Sequence, residues 1–155
     1  MRFTAIALAL VAGVSLEGQF ADKKALTLEG VKKVAAAAAA EANKNNWKVA
    51  IAIVDAGGHL LYFERMDGAP LSAVELATGK ARAAAVFGRP TKAYEDQLVG
   101  GRMAVLKIPG VMPFEGGVPI MAGAQVAGGI GVSGVTAPQD GQVARAGAAA
   151  VATAP

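Results

Sequence analysis

IPGVMPFEGGVPIMAGAQVAGGIGVSG, from Ile108 to Gly134, decides the fold. It holds two short apolar runs, Val118–Ala122 and Val126–Val132, separated by glycine and introduced by Pro113-Phe114-Glu115-Gly116-Gly117. Apolar runs of this length bounded by glycine read as strands rather than helices. The short link between them makes an antiparallel hairpin. Gly129-x-Gly131-x-x-Gly134 matches a dinucleotide fingerprint only in letters. That fingerprint needs a helix directly after it and an acidic residue about 20 positions further on, and no Asp or Glu follows Asp140. Glycines in such a strand instead mark a place where another backbone or subunit approaches closely.

Working outward, a second hairpin precedes this one. Lys48–Asp55 is apolar on both faces, as expected of a central strand covered on both sides. Ala56-Gly57-Gly58 makes the turn, and His59–Met66 is the partner strand. Helices fill the rest. The first begins at Leu28 behind a Thr27 cap, with Leu26 stapling onto Val31 and Leu28, Val31, Ala35, Ala38 and Ala42 on one face. The second starts near Ala73 from a Ser72/Glu75 capping box and stops at Gly88 and Pro90. A short third spans about 92–98, and residues 99–115 read as irregular. The last runs from a Thr136/Gln139 capping box to about Ala152. The order is α-β-β-α-α-β-β-α, an α+β fold in one domain over about 26–153.

Composition narrows the function. The chain has 155 residues, no cysteine and a net charge of +3. The absence of cysteine excludes disulfides, thiol catalysis, iron–sulfur clusters and covalent c-type haem attachment. The basic residues are scattered, with no aromatic interleaving, so nucleic-acid binding has little support. Arg2, the apolar stretch Phe3–Ala12 and Gly13-Val14-Ser15 have the form of an export signal cleaved after Ser15. That predicts a periplasmic or secreted protein without a stable membrane anchor, a cytoplasmic one being the alternative.

Several segments together resemble the GlcG/HbpS-like, or haem-degrading domain, family. They are Asp55 with Gly58, Arg65 with Asp67-Gly68-Ala69, Ala77 with Lys80-Ala81, Pro109-Gly110, Gly116–Ile120 and Gly128–Gly134. They occur in the family's order. The resemblance implies a profilin-like antiparallel sheet flanked by helices. It also implies a symmetric homo-oligomer, an octamer in some members, and an exchangeable haem as the first candidate cofactor.

The candidate ligand-binding residues are His59, Arg65, Asp67, Lys80 and Glu115. His59, the sole histidine, cannot build a multi-histidine metal site but could serve as an axial haem-iron ligand. Methionines and tyrosines such as Met66, Met112 and Tyr62 are the other possible donors. Arg65 or Lys80 would hold a ligand carboxylate, Asp67 would orient the cation, and Glu115 could line the same pocket. The plainer reading makes Asp55 a turn-former and the charged residues structural ion pairs. No Ser/His/Asp set or carboxylate dyad is visible, so a binding role leads over an enzymatic one. A haem or tetrapyrrole binder is the first expectation. An enzyme or accessory protein for a small hydroxy acid such as glycolate, which the resemblance also permits, is the second. A structural or sensing oligomer without a small ligand is the third.

Overall fold

The computed structural model describes residues 18–152; the export signal expected over residues 1–15 lies outside them. Four strands form one antiparallel sheet: β1 (Ala50–Asp55), β2 (Leu60–Arg65), β3 (Gly117–Ala122) and β4 (Gln125–Ser133). Their order is β2-β1-β4-β3. The two hairpins therefore meet along β1 and β4, with Ala52 opposite Gly131 and Ile53 opposite Ile130. The expected α+β fold and element order are both present. Helices α1 (Leu28–Lys44) and α4 (Ala137–Ala149) cover one face, and α2 (Ala73–Phe87) covers the other. The short α3 (Lys92–Val99) and a 3-10 helix at Met103–Lys107 lie in the connection to β3.

Strand alternation divides the core in two. Ile51, Ile53, Ile120, Ile130 and Val132 meet Val31, Val34, Ala38 and Val143 of α1 and α4. On the opposite face Ala50, Ala52 and Val54 meet Ala73, Ala77, Ala81 and Ala85 of α2. This second layer is built mostly from alanine, and β4 meets it with the glycines Gly129 and Gly131. A Cβ on Gly129 or Gly131 would come within 3.0 Å of the α2 backbone at Ala81, Ala85 or Ala77. Helix and strand touch backbone to backbone, so the close approach expected of these glycines comes from within the chain. Gly134, with φ 148°, turns the chain against the Lys48 carbonyl.

Some local expectations change. Leu28 stands 65% exposed, and Val34 takes its place in the buried stripe of α1. Leu26, just ahead of the helix, packs on that core instead. Ser72 makes no side-chain cap, because the preceding turn is already helical and Pro70 and Leu71 carbonyls accept from Ala73 and Val74. Thr27 does cap α1, its Oγ1 accepting from Gly30 N at 3.1 Å. Thr136 N donates to Gln139 Oε1 at 3.2 Å ahead of α4, which ends at Ala149 rather than Ala152.

Candidate functional site

The tight β1–β2 turn is organised by Asp55. Its Oδ1 accepts from Gly57 N at 2.8 Å and from His59 N at 2.9 Å, the side-chain-closed turn expected of an aspartate at a strand end. The His59 N–H foremost, helped by the Gly57 N–H and the His59 ring, holds the Asp55 carboxyl below its ordinary 3.8 against the opposing effect of burial. The His59 ring stands in solvent with Nδ1 3.3 Å from Asp55 Oδ1.

Behind this turn runs an open cleft of about 540 Å³. One wall is the exposed face of α2, with Gly79, Arg82, Val86 and Phe87; the other is the Pro109–Met112 segment, and Gly57 closes the end. The turn rests directly on α2: a Cβ on Gly58 would lie within 3.0 Å of Arg82 Cγ, and one on Gly57 would lie 3.0 Å from His59 Nδ1. Arg82 is thus in the wall of the cleft, and His59 stands beside Gly57, which closes its end. Gly79 leaves room for the Met112 methyl, which lies against it.

A buried charge cluster is built around Lys80, in the middle of α2 on a different face from Arg82. Lys80 is 3% exposed and Asp140, in the first turn of α4, is 2% exposed. Lys80 Nζ donates to Asp140 Oδ2 at 2.9 Å and to the Val132 carbonyl at 3.0 Å, while Val135 N donates to Asp140 Oδ1 at 3.2 Å. Burial raises the Asp140 carboxyl above 3.8; Lys80 and the Val135 amide pull it down, and Glu115 adds to the rise. Glu115, also buried, accepts from Arg145 Nη1 at 2.7 Å, and its own N–H donates to Glu95 Oε2 at 2.6 Å. Gly116 and Gly141 allow this packing, since side chains there would strike Lys80 Nζ and Glu115. Thr91, fully buried, clamps the segment by donating to the Phe114 carbonyl at 2.7 Å and accepting from Gly117 N at 2.9 Å.

The five expected ligand residues therefore fall in three places. Lys80 and Glu115 come together, each already partnered. Arg65, the last residue of β2, and Asp67 just after it are exposed at the end of the strand opposite His59, and no ion pair joins them among the described residues. His59 sits alone at the cleft. Sequence reasoning did not single out Arg82, Asp140, Arg145 or Thr91. Asp140 did carry a signal, as an acidic residue in a helix first turn of the last capping box. No group of three His, Cys, Asp or Glu side chains arranged to hold a metal ion exists among the described residues. No helix among them is long and apolar enough to cross a membrane.

Comparison with known proteins agrees with this architecture. A family model described as haem degrading protein HbpS-like matches residues 26–149. GlcG of Escherichia coli K12 is 45% identical over 111 residues, which cover 72% of this chain and 83% of GlcG. Among solved structures, a double mutant of HbpS from Streptomyces reticuli superposes with a TM-score of 0.79 at 33% identity, covering 97% of this chain and 99% of that one. PduOC, solved in complex with haem, gives 0.75 at 29% identity, covering 82% and 95%. With the match spanning both hairpins and all four helices, the chain belongs to the HbpS-like family of haem-degrading-type domains.

Proposed function

We propose that the domain is a small-ligand binder whose ligand is haem or a related tetrapyrrole, held exchangeably in the cleft between α2 and Pro109–Met112. One observation carries the reading: a cleft of about 540 Å³ with mostly apolar walls, an arginine in one wall and a histidine beside the glycine that closes its end. That volume lies in the range of sites for drug-sized ligands, about 300–1,000 Å³. The residues fit such a group. Val86, Phe87, Val111 and Met112 offer apolar and thioether contact to a flat macrocycle. Arg82 suits a propionate. Asp55 beside Nδ1 leaves His59 Nε2 free for iron, the carboxylate–histidine pattern common at metal ligands. Bound haem would bring redox-active iron; the chain's part is one nitrogen ligand, one cation and a dry wall. The haem complex of PduOC supports the reading at family level.

Self-association belongs to the same proposal. Met103, Leu106 and Ile108 are exposed beside the cleft, and Val86 is exposed on α2; apolar side chains so grouped favour contact with another protein surface. Haem titration tests the ligand. A saturable Soret band distinct from free haem is expected. His59→Ala should shift it, and Arg82→Ala should weaken binding without moving it. A spectrum equal to free haem at every ratio would end the proposal.

A further inference from the structure

A second cavity, of about 190 Å³, lies where α2, β4 and α4 meet, with Leu76, Lys80, Phe114, Ser133, Val135 and Asp140 in its lining. It shares no lining residue with the haem cleft. Its volume is that of about six water molecules, so only a small molecule fits. Leu76, Phe114 and Val135 make it apolar on one side. The other side holds an ammonium almost wholly removed from water. An ammonium has three N–H donors. Two of those on Lys80 are taken, by Val132 O and Asp140 Oδ2, and the third has no acceptor among the described residues. Leaving a buried cationic donor unmet is costly. A ligand oxygen in the cavity would meet it, with the Ser133 hydroxyl on the same lining.

We propose that this cavity binds a small monocarboxylate, which displaces Asp140 as the counter-ion of Lys80 while Asp140 takes up one proton from solvent. The charges around Asp140 set that stoichiometry. Lys80 faces it from α2, Glu115 from the segment before β3 with Arg145 of α4 as its own partner, and the Val135 N–H from the β4–α4 link. Glu95 of α3 is engaged with the Glu115 backbone. The cluster of Lys80, Asp140, Glu115 and Arg145 is neutral as it stands, so an added anion would face the Asp140 carboxylate at close range and be repelled. Taking up a proton restores neutrality. The ligand carboxylate then pairs with Lys80, and the Asp140 hydroxyl donates to it.

Acetate and lactate are the probes, with acetamide as the uncharged counterpart. Calorimetry in buffers of different ionisation enthalpy should show saturable binding with uptake of one proton, and affinity should fall as pH rises, by about tenfold per pH unit where Asp140 is ionised in the free protein and protonated in the complex. Ala137→Leu, which fills the cavity from the start of α4, should abolish acetate binding while the free protein keeps its circular dichroism. Asp140→Asn should bind acetate more tightly at about pH 8 with no proton uptake, and acetate should raise its Tm. Absence of saturation, acetamide binding as tightly as acetate, or binding without proton uptake would each overturn the assignment. Haem titration of the same samples reads the other cleft, so failure here and failure there are distinguishable.

Discussion

Gly131 of β4 lies directly beneath Ala77 of α2, so close that a single added methyl would overlap the Ala77 carbonyl oxygen. The helix is laid on the strand through its own main chain, and Ala52 opposite Gly131 continues the same small-residue floor into β1. The cleft and the charge cluster both hang on α2, so their spacing from the sheet is set by this contact.

Gly131→Ala should therefore destabilise by about 3 kcal/mol or more, at or above the upper end for overpacked cores, because the obstructing atoms are backbone and cannot rotate away. Gly79→Ala is the contrast. Its added methyl would meet the end of the Met112 side chain, which can swing aside, so the cost should stay below about 1 kcal/mol. Urea unfolding of both variants checks the pair; equal costs would refute the backbone explanation.

Lys80 and Asp140 stand 60 positions apart in sequence and form a buried ion pair. Asp140→Ala leaves a buried ammonium without its counter-ion and should cost about 3–5 kcal/mol. Lys80→Met with Asp140→Leu removes both charges and should recover most of that loss. A double variant as unstable as Asp140→Ala would show that packing, not charge, dominates there.

How much of this was legible follows from range. Both hairpins could be read because their turns are local: Gly57-Gly58 and Gly123 sit between runs of a few residues. The glycines at 129 and 131 could be read as a close-approach surface, but which element approaches depends on α2 folding back over β4. The charge cluster was half visible. Lys80 and Glu115 were singled out, whereas Asp140 and Arg145 come from α4, whose rotation about its axis no local pattern states. Arg65 and Asp67 adjoin Lys80 in sequence reading only. The strand carries them to an exposed end, and the helix buries Lys80 elsewhere. Arg82 sits two residues beyond Lys80 on α2 and so faces away from it, into the cleft, an assignment that needs the Pro109–Met112 wall to be seen.

Thr91 ties the Phe114–Gly117 segment to the start of α3 with one hydroxyl that both donates and accepts. Thr91→Val keeps the shape and deletes both bonds, leaving the Phe114 carbonyl and Gly117 N–H unmet. A loss of about 1–3 kcal/mol is expected. Amide exchange at Gly117 should quicken more than at Ile130 in the central strand β4; equal acceleration at both would mean global destabilisation alone.

Asp55 and Asp140 should impose opposite pH dependences on stability. Amide donors lower the Asp55 carboxyl below 3.8, so its contribution is present above the unfolded value and lost as pH falls through the folded one. Burial raises Asp140 above 3.8, so the folded state holds that proton more tightly than the unfolded chain. The resulting stabilisation is complete below 3.8 and lost as pH rises through the raised folded value. Asp55→Asn and Asp140→Asn each remove one titration. Plotted as wild type minus variant, stability should rise with pH for Asp55 in the range below 3.8 and fall with pH for Asp140 in the range just above it. Urea midpoints measured in small pH steps read both slopes, and slopes of the same sign would contradict the placement of one carboxylate in an amide-lined turn and the other in a desolvated cluster.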